Sequence, residues 1–232
     1  MDDFSRFFWN KEKRFPVHKW HHYFEIYDRH FSKYKDTHPV IIEIGVSEGG
    51  SLEMWNDYFK GKCKIYGVDI NPNCKRFESE FPNVKIFIGD QSNVDFLNKI
   101  KAEVPNIDIL IDDGSHISSH VVTTYEALYP NIVPGGTYLI EDLHTSYWEE
   151  YEGGLLRQGT SIEYMKSLID KLNAKHIRDS EVNSFVLEGP KRVNHIDTDF
   201  SCTTQSIHFY DSITVLEKHI RRQTVVEASI RR

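Results

Sequence analysis

Cysteine is scarce in this chain of 232 residues: Cys63, Cys74 and Cys202 are all it contains. Three scattered thiols make neither a disulfide framework nor a zinc site, and they read as reduced cytoplasmic thiols. No run approaches the ~18 apolar residues of a membrane span. The start, "MDDFSRFFWNKEKRF", lacks the basic flank and apolar core of a secretory signal. A cytoplasmic protein without a membrane partner is therefore expected. Basic charge is not in excess either: 28 Lys plus Arg against 35 Asp plus Glu leave a formal charge of -7, which disfavours a nucleic-acid partner. Internal repeats and low-complexity linkers are missing too, so one continuous globular unit is expected.

What is present is aromatic and regularly patterned. In "HKWHHYFEIYDRHFSKY", Trp20, Tyr23, Phe24, Tyr27 and Phe31 recur at three- and four-residue steps, the spacing of one helix face. This predicts an N-terminal helical extension over residues 1–38. From Pro39 onward, short apolar runs alternate with helical lengths. The strands are "VIIEIG" (40–45), "KIYGVDI" (64–70), "VKIFIGD" (84–90), "IDILIDDG" (107–114) and "GGTYLIED" (135–142). Such alternation predicts an α/β fold with a mostly parallel central sheet flanked by helices. "SIHFYDS" and "ITVLEKH" abut as a hairpin or a bulged pair and predict an antiparallel C-terminal edge. The main domain is placed at 39–222, with a tail at 223–232.

In open α/β sheets, ligands bind beyond the carboxyl ends of the strands. Here those ends are acidic. The first carries Glu43, Gly45, Gly49 and Ser51; the second Asp69; the third Asp90 and Gln91. The fourth carries Asp112, Asp113 and His116, and the fifth Glu141, Asp142 and His144. A glycine turn lets a ligand approach the backbone. The spacing Gly45-x-x-x-Gly49, with Glu43 and Glu48 around it, departs from the G-x-G-x-x-G of dinucleotide sites. Carboxylates there would repel phosphates but suit an ammonium and a cationic sulfur, so S-adenosylmethionine is the expected ligand. Asp69 would take the ribose hydroxyls and Asp90 the adenine amino group. Taken singly, each acid also suits a turn or helix N-cap, and Asp112 or Asp113 could cap a helix starting near Ser115.

The ordered set "EIGVSEGGS", "YGVDI", "FIGDQSN", "IDILIDDGSH" and "PGGTYLIEDLHTSYW" resembles class I S-adenosylmethionine-dependent methyltransferases, with their Rossmann-like fold. Within them it looks most like the metal-dependent sugar O-methyltransferases of macrocin and mycinamicin type, and the related cephalosporin hydroxylase-like proteins. The resemblance implies a magnesium ion or another hard divalent cation on Asp113, Glu141 and Asp142, with His116 as general base. It also implies that an N-terminal region covers the site or mediates homo-oligomer contacts, with Trp20 and Tyr23 as candidates. His144, Tyr147 and Trp148 open a loop whose "EGG" at 152–154 could hinge over the substrate. Asp113 is preferred to Asp112 as ligand because successive strand residues face opposite ways; Asp112 is assigned to the turn or to the methionine part of the cofactor.

The expected activity is transfer of a methyl group to a sugar hydroxyl of a small-molecule or glycan acceptor. A sugar nucleotide or surface glycan is preferred to a macrolide. A catechol-type methyltransferase, a nicotinamide-dependent oxidoreductase and a catalytically silent binding domain are the alternatives.

Overall fold

The computed structural model describes residues 3–174 and 198–219, so the expected tail at 223–232 lies outside the described residues. Seven strands form one sheet: β1 Val40–Ile44, β2 Lys64–Asp69, β3 Val84–Ile88, β4 Ile107–Asp112, β5 Ile132–Ile140, β6 Thr204–Phe209 and β7 Thr214–Lys218. Their order is β3-β2-β1-β4-β5-β7-β6. The pairs from β3 through to β5 are parallel, and β7 runs antiparallel to both β5 and β6. The expected sheet and hairpin edge are both present. β1 and β4 are sheet neighbours while the chain runs outward from β1 through β2 to β3, so the crevice between their carboxyl ends is a topological switch point.

Alternation along each strand splits the core into two layers. On β1, Ile41 joins one cluster while Ile42 and Ile44 join the other. The first layer is aromatic. It is filled by α1 (Asp3–Trp9), α2 (Tyr23–Phe31) and α3 (Gly50–Tyr58), whose Phe4, Tyr27, Phe31 and Trp55 are all buried. Tyr27 and Phe31 both meet Trp55 edge-on, at ring-centroid separations of 5.2 and 5.7 Å. The N-terminal extension is thus part of the main core. Trp20 is the exception within the stripe: the helix begins only at Tyr23, so Trp20 precedes it and stays exposed.

The second layer comprises the aliphatic faces of α5 (Val94–Glu103), α6 (Ser118–Leu128) and α7 (Ser161–Leu172). Asn93 and Thr160 cap α5 and α7 through their side chains. The short helices α4 (Phe77–Glu80) and α8 (Thr198–Thr203) complete the described α-helices. No helix among the described residues is long and apolar enough to cross a membrane.

Candidate active site

The ladder hydrogen bonds continue past the ends of three strands. Gly45 N donates to Val68 O at 2.8 Å, Asp113 N to Ile44 O at 2.9 Å, and Glu141 N to Asp112 O at 2.9 Å. They line the three turns up in one row. A Cβ on Gly45 would stand 2.0 Å from the carbonyl oxygen of Asp113, so only glycine lets the two turns pack this closely. Gly49, with φ +80° and Phe77 against it, starts α3.

A cleft of about 630 Å³ opens over this row, lined among others by Gly45, Ser51, Asp69, Asp90, Gln91 and His116. Asp69 Oδ2 accepts from Val46 N and Ser47 N at 3.0 and 2.8 Å, so this acid also fixes the glycine turn. Asp90 accepts from Ser92 N at 2.8 Å. Gln91 accepts from Ser115 N at 2.7 Å and ties the third strand end to the fourth.

Two of the expected cofactor contacts face elsewhere. Glu43 is fully buried beneath the turn, where it accepts from Ser51 Oγ and Trp55 Nε1, both at 2.9 Å. Burial pushes its pKa up to about 7 against the opposing pull of Lys19 and Trp55. Asp112 is likewise buried, accepting from Gln91 Nε2 and Tyr138 Oη at 3.1 Å. Burial raises it to about 7, with Gln91 and Tyr138 opposing. Neither Glu43 nor Asp112 lines the cleft; both hold residues that do. Nor does either adjacent acid cap the next helix: α6 begins at Ser118, and its N-cap is Ile117.

The acids of the fourth and fifth strand ends meet where that cleft adjoins a second cavity of about 260 Å³; Asp113 and Asp142 line both. His116 Nε2 lies 3.9 Å from Asp113 Oδ1 and 3.8 Å from Asp142 Oδ2. His116 and Asp142 adopt left-handed backbone, with φ +60° and +52°. For a residue other than glycine this costs roughly 1–2 kcal/mol, strain of a kind found where side chains are aimed for function.

Lys19, which the sequence pattern did not single out, enters this cluster from the segment before α2. Its ammonium group donates to Asp113 Oδ2 and, at 2.7 Å, to Glu141 Oε2. Tyr27 Oη donates to the other Glu141 oxygen at 2.7 Å, and Tyr23 Oη to Asp142 Oδ1 at 2.5 Å. Burial would favour a neutral amine, but the charges of Asp113, Glu141 and Glu43 outweigh it and hold Lys19 protonated. Burial, with the Asp113 charge, pushes the Glu141 carboxyl above the usual carboxylate range, and Lys19 opposes this.

The three expected metal ligands, Asp113, Glu141 and Asp142, meet at one place, in different company. Ligand atoms of Asp113, His116 and Asp142 lie within 4.8 Å of one another, while both Glu141 oxygens are engaged by Lys19 and Tyr27. Asp113 Oδ1 and Asp142 Oδ2 face His116, and their oxygen chemistry fits a hard divalent cation.

His144 and Trp148 continue outward from the acids as an aromatic chain, with ring centroids 4.8 Å apart. Tyr147 is exposed beside them. The "EGG" stretch is not an open hinge: Gly153 N donates to Trp148 O at 2.8 Å, and a Cβ there would meet the Trp148 backbone at 2.5 Å.

Comparison with known proteins shows the family. Residues 19–142 match the model of the FtsJ-like methyltransferase family. The chain is 36% identical over 210 residues to the 8-demethyl-8-alpha-L-rhamnosyl tetracenomycin-C 2'-O-methyltransferase of Streptomyces olivaceus, covering 86% of this chain and 51% of that protein. It is 36% identical to the mycinamicin VI 2''-O-methyltransferase of Micromonospora griseorubida, covering 83% and 47%. The chain thus spans about half the length of the curated relatives it matches. The crystal structure of the MycE methyltransferase of mycinamycin biosynthesis, in complex with Mg and SAH, superposes with a TM-score of 0.75 at 33% identity, over 94% of this chain and 54% of that one. With more than half of its residues matched by the family model, the chain belongs to the FtsJ-like methyltransferases.

Proposed function

We propose that this protein is an S-adenosylmethionine-dependent O-methyltransferase acting on a sugar hydroxyl, with His116 as general base and a hard divalent cation at Asp113 and Asp142. One observation carries the reading: Asp113 and Asp142 line both of two cavities, a large one rimmed by the glycine turn and a small one beside Tyr23, and His116, on the wall of the large one, lies within 3.9 Å of each acid. The large cavity suits the methyl donor, with Asp69 for its ribose and Asp90 for its adenine. The small one suits the acceptor.

In this reading, Asp113 and Asp142 would hold the cation, which when bound lowers the pKa of a neighbouring hydroxyl. His116 takes the acceptor proton as the hydroxyl oxygen forms its bond to the methyl carbon and the carbon–sulfur bond breaks. The aligned strand ends hold the two reactants for in-line displacement, so positioning supplies much of the acceleration. Lys19 and Tyr27 keep Glu141 paired, which limits the negative charge that the acceptor meets.

The relatives above are named for methylation of rhamnosyl tetracenomycin-C and of mycinamicin VI. Those names favour a sugar carried on a small molecule, alongside the sugar nucleotides and surface glycans expected from sequence. A methyl-transfer screen over glycosides, sugar nucleotides and catechols, run beside calorimetry with S-adenosylhomocysteine and NADH, tests the proposal. Transfer to a sugar and binding of S-adenosylhomocysteine alone are expected. Transfer confined to catechols, or micromolar NADH binding without S-adenosylhomocysteine binding, would sink it.

A further inference from the structure

Two of the largest exposed side chains in the described structure stand beside the small cavity. Trp20, 57% exposed, lines it, and Trp148, 46% exposed, lies farther out. His144 connects them, with ring centroids 6.0 Å from Trp20 and 4.8 Å from Trp148, both edge-on. The string continues through Tyr151 back to His116, at 6.0 and 6.5 Å. It is held from beneath. His144 Nδ1 lies 2.5 Å from Ser212 Oγ, and Tyr23 Oη lies 2.8 Å from the same oxygen. His22 Nε2 is 3.1 Å from Asp211 O. The turn between β6 and β7 therefore braces both the segment carrying Trp20 and the loop carrying Trp148.

Indole surface left exposed yet braced at a site marks a contact surface. The ring faces are electron-rich and attract the electropositive C–H face of a pyranose, while the sugar hydroxyls remain free for polar partners. The cavity, at about 260 Å³, falls below the roughly 300–1,000 Å³ of pockets for drug-sized ligands. It takes one sugar ring and leaves the rest of a glycoside outside. With a divalent cation on Asp113 and Asp142, the three carboxylates of its wall are balanced by that cation and Lys19, so no surplus positive charge is left to pair with an anionic sugar, whose carboxylate would lose its water uncompensated.

We infer that Trp20, His144 and Trp148 form a stacking wall for a neutral glycoside, with the ring to be methylated against Trp20 and the following unit along Trp148. The inference rests on the methyltransferase reading and adds the charge class and the orientation of the acceptor. The order of the string fixes that orientation, since Trp20 is the tryptophan that shares the cavity with Asp113 and Asp142.

The test is calorimetry on the full chain with magnesium and saturating S-adenosylhomocysteine. Methyl α-L-rhamnopyranoside, its p-nitrophenyl analogue and methyl β-D-glucuronide serve as probes. Trp20→Ala is expected to weaken both rhamnosides by about fivefold to tenfold, and Trp20→Phe to restore most of the loss. Trp148→Ala is expected to weaken only the p-nitrophenyl glycoside, and the glucuronide to bind about tenfold more weakly than the methyl rhamnoside. The S-adenosylhomocysteine affinity should stay within about twofold in every variant. If that ligand binds but the rhamnosides do not, or bind both alanine variants as they bind the unaltered protein, the wall is wrong while the cofactor reading survives. Failure to bind S-adenosylhomocysteine overturns the reading and the wall together.

Discussion

On the β1–β3 side of the cleft, the key contacts are local, whereas on the β4–β5 side they come from the far end of the chain. Asp69 is bonded to Val46 and Ser47, 23 and 22 residues away. Glu141 is bonded to Lys19 and Tyr27, 122 and 114 residues away, and Asp142 to Tyr23, 119 away. The turns of the first half form once neighbouring strands pair, and residues 16–19 then close one wall of the cleft above them. The second is complete only when residues 19–27 dock on the sheet. Cofactor binding and acid placement should therefore be separable by mutation.

The largest expected effect lies in the second half. His116→Ala should lower turnover by about 10²–10⁴-fold, the range for losing a positioned base, with S-adenosylhomocysteine affinity unchanged; a parallel loss of both would join the halves that the structure separates. Lys19→Met comes next. Leaving the buried Glu141 and the partly buried Asp113 without their cation costs about 3 kcal/mol, the lower end of the range for a broken buried pair, so the thermal midpoint should fall by roughly 10 °C for a chain of this size. Magnesium should restore more of that loss in the variant than in the unaltered protein, because Asp113 is freed. Equal shifts in both would contradict the shared use of Asp113.

A change in the first half should act in the opposite sense. Asp69→Asn is expected to weaken S-adenosylhomocysteine by about tenfold, as for loss of a charged hydrogen-bond acceptor, while magnesium affinity holds. The smallest effect concerns Glu43. Its pKa is about 7 in the folded chain against an ordinary 4.5, so the folded state binds the proton more tightly. Stability is then greatest below the ordinary value and declines as pH rises from about 4.5 to 7. Glu43→Gln should flatten that part of the denaturation profile; an unchanged slope would remove Glu43 as its source.

Sequence legibility followed the same division. β1 to β5 were readable because parallel strands buried on both faces form short apolar runs, and Asp113 and His116 because a strand end and the next helix start bring them together. The alternation of strand faces correctly separated Asp112 from Asp113. The same alternation puts Glu43 on the face of β1 that carries Ile41, where it reaches Trp55 rather than the cleft. Lys19 left no trace, since a lysine in a polar stretch looks the same whether solvated or paired 94 residues away. The place of Tyr27 on one helix face agrees with its ring packing on Trp55; its hydroxyl contact with Glu141 carries no spacing signal. Trp20 was placed on the helical stripe because periodicity extends one step past the helix start.

Methyl transfer to methyl α-L-rhamnopyranoside, measured with magnesium, with chelator, and with magnesium restored, tests most directly whether Asp113, His116 and Asp142 act together at the junction of the two cavities. Turnover, its loss and its return are expected, with Asp113→Asn and His116→Ala slower by about 10²-fold or more throughout and still binding S-adenosylhomocysteine. Undiminished turnover in chelator, or in either variant, would contradict that joint action.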